Sequence, residues 1–267
     1  MTERDAAPPF SRYVALGDSG TEGVGDDPHP DGSERGWADR LAAILAETNP
    51  DLLYANLAVR GRRIAEVHEQ QLAPALAFEP DLVTVVAGIN DVLRSRFDLD
   101  VSLGHLDEML RALRAAGATV VTATYPDPSG LVPGARFVRD RLQQFNAGIR
   151  AAAERRGALV VEAEDFPVLA HPKMWCADRL HLSPEGHRGL ALATARTLKI
   201  AEAAGELPTG TAEARRRRIQ DDLRWARAFL LPWIHRRLTG RSSGDGRFAK
   251  RPELQPVAWG TDDDGGR

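Results

Sequence analysis

The strongest constraint on the fold is an alternation of short apolar runs with amphipathic helical segments along most of the chain. The apolar runs are rich in valine, leucine and alanine, and they cover residues 13–16, 52–57, 81–87, 119–124 and 158–162. Near-continuous apolar runs of this length are typical of parallel strands that are covered on both faces. The sequence therefore predicts five buried strands.

Between these runs, apolar residues recur at the spacing of an amphipathic helix. The predicted helices cover residues 37–47, 103–116, 138–156 and 184 to about 199. Gly117 and Gly157 follow two of them at a position that ends many helices, and Ser183 precedes Pro184 as an N-cap before a helix. The alternation predicts a three-layer α/β/α fold with right-handed crossovers, in which a flavodoxin-like five-stranded parallel sheet has the order 2-1-3-4-5.

Composition narrows the classes of function. The chain has 267 residues, of which 43% are hydrophobic and 27% charged, as is ordinary for a globular protein with one sizeable core. Its formal net charge of -3 does not favour nucleic-acid binding, for which a strongly basic balance is usual. Cys176 is the single cysteine, so no internal disulfide is expected. We see no secretory signal and no transmembrane run, which predicts a cytoplasmic location.

The chain from 201 to 267 is predicted to be an extension beyond a catalytic domain at 10–200. Residues 213–238 have a helical pattern with a basic run at 215–218, and Pro232 is expected to kink or end that helix. The glycine- and aspartate-rich end is expected to be partly disordered. Two roles stay open for the helix: its aromatic face packs on the core, or its basic amphipathic surface contacts a membrane or a partner.

Polar segments that contain glycine follow three of the predicted strands. Gly17-Asp18-Ser19-Gly20 follows the first strand, 56–61 follows the second, and Gly88-Ile89-Asn90-Asp91 follows the third. A fourth segment, Asp178-Arg179-Leu180-His181, lies just before the last predicted helix. Because ligands bind outside the carboxyl ends of parallel strands, we expect these segments to meet at one edge of the sheet.

These segments contain the residue types of an acyl-transfer site. A serine hydroxyl such as that of Ser19 becomes a nucleophile when a base such as His181 takes its proton. Asp178 lies three residues before His181, so one turn of chain can bring its carboxylate to the imidazole and fix the tautomer. The backbone N–H groups of Ser19 and Gly61 and the side-chain amide of Asn90 could donate to an oxyanion. Each segment alone also fits a turn, a cap or an ion pair, whereas their shared placement favours an active site.

Together the four segments resemble the signature blocks of the SGNH hydrolase family, which is also described as GDSL-like. Gly17-Asp18-Ser19 resembles the nucleophile block, Gly61 the glycine block, Gly88-Ile89-Asn90-Asp91 the asparagine block, and Asp178-Arg179-Leu180-His181 the last block. The resemblance spans about residues 10–200, and the pattern is similar to actinobacterial GDSL-type esterases. Ile89 stands where the family often has glycine. The SGNH hydrolase fold is implied.

The resemblance implies a serine esterase that hydrolyses a small-molecule carboxylic ester through an acyl-enzyme. Ser19, Asp178 and His181 would form the catalytic triad, while Ser19, Gly61 and Asn90 would form the oxyanion hole. No metal, organic cofactor or nucleic-acid partner is implied. An acyltransferase that passes the acyl group to a sugar or glycerol hydroxyl would use the same residues. A non-catalytic binding module is a more remote alternative, and its signature would be the loss of Ser19 or His181.

Three further groups of residues could belong to the site. His187 lies six residues after His181 and is expected to have a structural role. The aspartate-rich loop 26–31, which contains His29, fits an acidic lid better than a metal site. The arginines beside Gly61, at positions 60, 62 and 63, either hold an anionic group of the substrate or are solvated.

Overall fold

Six strands form one sheet at the centre of the molecule. The computed structural model describes residues 10–132, 135–165, 171–200 and 219–257. The strands are Arg12–Gly17 (β1), Leu53–Asn56 (β2), Leu82–Val86 (β3), Thr119–Ala123 (β4), Leu159–Val161 (β5) and Arg251–Pro256 (β6). Their order across the sheet is β5-β4-β3-β1-β2-β6.

The first five strands are parallel, and their order is the expected 2-1-3-4-5. The expectation of a five-stranded sheet is wrong, because β6 pairs antiparallel with β2 at the edge. The sequence of β6 is Arg-Pro-Glu-Leu-Gln-Pro, which has neither an apolar run nor a strand-like composition. An edge strand tolerates proline because only one of its sides takes part in hydrogen bonding.

The helices cover both faces of this sheet, and their bounds are Ser19–Glu22 (α1), Gly36–Thr48 (α2), Ile64–Ala77 (α3), Ile89–Val92 (α4), Leu99–Ala115 (α5), Arg136–Arg156 (α6), Pro184–Thr197 (α7), Ile219–Trp225 (α8) and Leu231–Leu238 (α9). The sequence pattern does not predict α3, whose interior contains Pro74. None of the helices in the described ranges is long and apolar enough to cross a bilayer.

Alternate residues of β1 are buried against helices on opposite faces of the sheet, which gives a helix layer, the sheet and a second helix layer. Val14 and Leu16 are buried in a cluster with residues of α3, α5 and α6. Tyr13 and Ala15 point to the other face and are buried with residues of α2 and α7. Successive side chains of a strand point to opposite faces, so a strand with apolar residues on both is covered on both. The predicted three-layer α/β/α architecture is confirmed.

The C-terminal helical segment is continuous through Pro232. A π-helical turn, Ala226–Leu230, joins α8 to α9 directly before this proline. Proline lacks the N–H that the carbonyl four residues earlier would accept, and a widened turn relieves the crowding of its ring. The helix therefore does not end at Pro232. The basic run 215–218 and residues 258–267 lie outside the described residues.

Candidate active site

Ser19 lies at the point where β1 turns into α1. Asp18 is the N-cap of α1, and its Oδ1 accepts the N–H of Gly20 at 3.2 Å. Gly17 ends β1, and a Cβ at this position would collide with the carbonyl oxygen of Val86. The turn therefore depends on glycine and on a short polar cap, and it places the serine hydroxyl at the carboxyl edge of the sheet.

Ser19, His181 and Asp178 form one chain of hydrogen bonds. The Oγ of Ser19 lies 2.9 Å from Nε2 of His181, and Nδ1 of His181 lies 2.6 Å from Oδ2 of Asp178. The Oδ1 of Asp178 accepts the backbone N–H groups of Leu180 and His181, each at 3.0 Å. With a proton on Nδ1, Nε2 is free to accept the proton of Ser19.

The electrostatics of Asp178 favour its charged form. Burial tends to raise the pKa of this carboxyl, but the hydrogen bonds from His181 and from the backbone outweigh burial and leave its pKa below the ordinary value. A carboxylate in this position holds one imidazole tautomer and stabilises the imidazolium. The three residues thus have the geometry and charge of a nucleophile, a base and an orienting group.

The side-chain amide of Asn90 links two of the other segments. This residue lies on α4, directly after β3, and its Nδ2 donates to Oδ2 of Asp18 and to the carbonyl oxygen of Arg62, both at 3.1 Å. Arg62 follows Gly61 in the loop after β2, where Gly61 has a φ of +78°. The structure therefore brings the segments of Ser19, Gly61 and Asn90 together, as their placement at strand ends predicts.

Asp18 has an unusual environment that sequence reasoning missed. Its side chain is buried directly before Ser19, and burial raises the pKa of its carboxyl to about 7. The neighbouring Asp91 raises it further, while Gly20, His181 and Asn90 favour the charged form without overcoming burial. Such a carboxyl titrates near neutral pH, within the range in which a hydrolase is assayed.

The arginines beside Gly61 are held by glutamates. The backbone N–H and the guanidinium of Arg60 both donate to Glu22, at 2.5 to 2.8 Å, and the guanidinium also reaches Glu34 at 2.9 Å. The other two arginines of this loop pair with Glu66. These ion pairs fix the loop, so neither of the two roles expected for the arginines describes them fully.

The polar side chains of the aspartate-rich loop 26–31 form hydrogen bonds with different partners. Asp26 accepts two hydrogen bonds from Arg40, each at 2.8 Å, and Nε2 of His29 lies 2.8 Å from Asp39. Within the described ranges there is no group of three or more histidine, cysteine, aspartate or glutamate side chains that could hold a metal ion.

His187 lies fully buried at the start of α7. Its Nδ1 accepts the N–H of Trp37 at 3.1 Å, and its Nε2 lies 3.2 Å from the carbonyl oxygen of Val24. Burial lowers the pKa of this histidine to about 4, so it is neutral at physiological pH. The expected structural role is confirmed, because both ring nitrogens are used to hold backbone.

The C-terminal segment contacts this site in two places that the sequence did not predict. The indole N–H of Trp225 donates to the backbone carbonyl of Asp178 at 2.9 Å. The hydroxyl of Ser242 lies 3.5 Å from the carbonyl oxygen of Gly61. In the sequence pattern, Trp225 is one of several aromatic residues on the predicted helix 213–238. Ser242 lies in a turn-rich stretch whose composition does not predict a contact with the site.

Comparisons with known proteins place this chain in a family. A model of the GDSL-like Lipase/Acylhydrolase family matches residues 15–188. An acetylxylan esterase from Geobacillus stearothermophilus is 25% identical over an alignment of 209 positions that covers 70% of this chain and 93% of that protein.

Two solved structures extend the comparison. An alpha/beta hydrolase enzyme from the metagenome of Lake Arreo, Spain, has a TM-score of 0.61 at 22% identity, covering 74% of this chain and 97% of that chain. TesA has a TM-score of 0.60 at 24% identity, covering 71% of this chain and 99% of that chain. At these identities the two structures establish a shared fold.

Proposed function

Because the chain belongs to the GDSL-like lipase/acylhydrolase family and is a carboxylic ester hydrolase, we propose that Ser19, His181 and Asp178 cleave the ester through a covalent acyl-enzyme. The observation that carries the proposal is the unbroken chain of hydrogen bonds from Oγ of Ser19 through the imidazole to the carboxylate, with lengths of 2.9 and 2.6 Å. A nucleophile within hydrogen-bond reach of a base, itself oriented by a third group, is the general arrangement for nucleophilic catalysis.

In the first half of the reaction, Oγ of Ser19 attacks the carbonyl carbon of the ester. Its proton passes to Nε2 of His181, and the carboxylate of Asp178 stabilises the resulting imidazolium. The carbonyl electron pair moves onto oxygen, where the N–H groups of Ser19 and Gly61 would donate to it. One donor of this kind contributes roughly 3 to 4 kcal/mol to transition-state stabilisation in other hydrolases.

The amide of Asn90 would be the third donor. In the free protein its two N–H bonds are directed at Asp18 and at the carbonyl oxygen of Arg62. Binding of an oxyanion therefore requires that one of these bonds be shared or exchanged. The bond to Asp18 is weaker when that carboxyl is protonated than when it is ionised, because a neutral carboxyl is a poorer acceptor than a carboxylate.

The tetrahedral intermediate then collapses to the acyl-enzyme as the bond to the alcohol oxygen breaks. The imidazolium of His181 gives its proton to the leaving alcohol. In the second half of the reaction, the same imidazole takes a proton from water, which attacks the acyl carbon, and returns that proton to Oγ of Ser19 as the acid is released. Each proton that enters the imidazole leaves it again, so the enzyme returns to its starting state.

The substrate class that we propose is a small ester with a short acyl chain. The support is the similarity to a protein named as an acetylxylan esterase. A series of p-nitrophenyl esters from acetate to decanoate, together with acetylated xylo-oligosaccharides, tests this part of the proposal. The highest kcat/KM is expected on acetyl esters, and a maximum on long acyl chains would contradict it.

The catalytic proposal is tested with Ser19→Ala. This variant is expected to lose p-nitrophenyl acetate turnover by at least about a thousandfold and to lose labelling by a fluorophosphonate probe, because both need the Oγ nucleophile. Ser11→Ala is the matched control, since Ser11 is exposed before the opposite, amino-terminal end of β1. Turnover that survives in Ser19→Ala would refute Ser19 as the nucleophile.

For the C-terminal helix we infer contact with an anionic membrane surface, which is one of the two roles that its sequence pattern leaves open. The apolar side chains of Ile219, Leu223 and Leu231 are exposed along α8 and α9, and the same segment carries Arg224 and Arg227. Apolar and basic residues on one helix are typical of segments that lie in the headgroup region. The protein should be found in the pellet when it is sedimented with phosphatidylglycerol vesicles. An equal pelleted fraction with phosphatidylcholine vesicles would contradict an electrostatic contribution to binding.

A further inference from the structure

Trp225 connects the C-terminal extension to the loop that carries the acid and base of the triad. Its side chain is 8% exposed, and its Nε1–H donates to the backbone carbonyl of Asp178 at 2.9 Å, across 47 residues of chain. A buried indole N–H needs an acceptor, and a backbone carbonyl that accepts it is held in one orientation. The peptide that follows Asp178 is therefore fixed from outside its own loop.

Arg179 is held by the same helix. This residue lies between Asp178 and His181 and has a φ of +58°, a left-handed conformation that is costly for a residue with a Cβ. Its guanidinium lies over the ring of Trp225, 5.0 Å from the centroid, and donates to Asp222 at 2.6 Å. Two residues of α8 therefore bind the side chain of Arg179, and these contacts help to offset the cost of its left-handed backbone conformation.

The segment 176–181 forms a tight turn, so a small rotation of one of its peptides changes the positions of the side chains of Asp178 and His181. The N–H of Arg179 donates to the carbonyl of Cys176, and the N–H of Cys176 donates to the carbonyl of His181, both at 2.9 Å. Rotation of the peptide between Asp178 and Arg179 would move the carboxylate relative to the imidazole. Misplacement of a catalytic group by about 1 Å can reduce a rate about a hundredfold.

We propose that Trp225 is a positioning residue of the active site. Together with Asp222 it holds the Asp178–Arg179 peptide in the orientation that aligns the carboxylate and the imidazole with Ser19. The inference rests on the proposed function, because it assigns a role within that triad. The family match ends at residue 188, so this chain stabilises its catalytic loop with a segment that lies outside the matched family region.

The experiment compares full-length Trp225→Phe with the wild type. Phenylalanine keeps an aromatic ring but has no N–H to donate to Asp178. We expect kcat to fall about tenfold, which is the effect of losing about 1.4 kcal/mol of alignment, while KM stays within about twofold. Active-site titration with a fluorophosphonate gives kcat per active molecule, so a loss of folded protein does not imitate the effect.

A spectroscopic signature reports the alignment directly. The proton between Nδ1 of His181 and the carboxylate of Asp178 should give a strongly downfield proton resonance in the wild type. We expect this resonance to broaden or disappear in Trp225→Phe. A purely structural role of Trp225 would lower the melting temperature and leave the resonance and the per-site kcat of the remaining folded enzyme unchanged.

Two further variants make the test decisive. Asp222→Asn removes the ion pair with Arg179 without touching the indole, and it is expected to lower the per-site kcat in the same direction. Gln220→Ala is the control on the same helix, since its side chain is exposed and has no part in the contacts with Asp178 and Arg179 described above, and it should leave kcat unchanged. The proposal is overturned if Trp225→Phe keeps the wild-type per-site kcat and the downfield resonance, whatever the result for Asp222→Asn.

Failure of this proposal differs from failure of the proposed function. Wild-type activity that is abolished by Ser19→Ala but unaffected by Trp225→Phe would remove the positioning role and keep the triad. Activity that persists in Ser19→Ala would remove the triad, and the role of Trp225 would be lost with it.

Discussion

Replacement of Asp18 by asparagine should change how the stability of the protein depends on pH. The carboxyl of Asp18 is 3% exposed, and burial raises its pKa to about 7 from a value of 3.8. Between these two values the folded protein holds the proton, whereas the unfolded chain has released it. Folding then takes up a proton, so the free energy of unfolding falls as the pH rises through this window.

The size of the effect follows from the shift. One unit of pKa difference corresponds to about 1.4 kcal/mol, so the free energy of unfolding should fall by about 3 kcal/mol between pH 5 and pH 8 because of Asp18 alone. The loss levels off above the folded pKa of about 7. Asparagine does not ionise, and Asp18→Asn removes this dependence. It also removes one of the acceptors that Gly20 and Asn90 use, a pH-independent offset of about 1 kcal/mol.

The assay is urea denaturation of both proteins at pH 5, 6, 7 and 8. The difference in free energy of unfolding should shift by about 3 kcal/mol in favour of Asp18→Asn across this range. Groups that titrate in both proteins, such as His187, largely cancel in the difference. Asp107→Asn is the control, because the hydrogen bond from Arg156 lowers the pKa of Asp107 and places its own window below about pH 4. A constant difference between pH 5 and pH 8 for Asp18→Asn would refute the reasoning.

Two predictions concern the contacts of the C-terminal extension. Gly61→Ala should lower kcat/KM at least about tenfold, because alanine is strained at a φ of +78° and its Cβ would collide with the hydroxyl of Ser242. Gly246→Ala is the control, because its φ of +70° is similar but no atom lies within 4 Å of the new Cβ; its free energy of unfolding should fall by only about 1 kcal/mol. Equal kcat/KM values for the two variants would contradict the role of the collision. Lys250→Met should lower the free energy of unfolding by about 2 to 3 kcal/mol in urea denaturation, because it removes an Nζ that lies 2.9 Å from the buried carboxylate of Asp39. A decrease below about 1 kcal/mol would argue against a stabilising pair.

The centre of the parallel sheet was predictable because β1, β3 and β4 are buried on both faces. Such strands have to be apolar throughout, and the run 119–124 accordingly matches β4, Thr119–Ala123, almost residue for residue. The strand β6 was not predictable, because it pairs on one side only and its residues are mostly exposed. What holds β6 is its backbone pairing and a few specific side chains, and neither leaves a periodic pattern in the sequence.

The grouping of the Ser19, Gly61 and Asn90 segments was predictable from topology. Parallel strands end at one edge of the sheet, so motifs that follow different strands meet there. The ionisation of Asp18 and the two bonds of Asn90 were not predictable in the same way. Both depend on how completely neighbouring loops enclose the side chains, and the distances between loops are set by packing rather than by local sequence.

The C-terminal extension contacts the loops around the site at several points. Trp225 binds the carbonyl of Asp178, Ser242 contacts the loop at Gly61, and Lys250 donates to Asp39 on α2. These contacts reach both the triad loop and the glycine loop, and one continuous stretch of chain, 219–257, supplies them all. Release of β6 from the sheet edge would therefore weaken the support of both loops together, so changes in the extension should couple stability to catalysis although none of its residues is proposed to touch the reacting atoms.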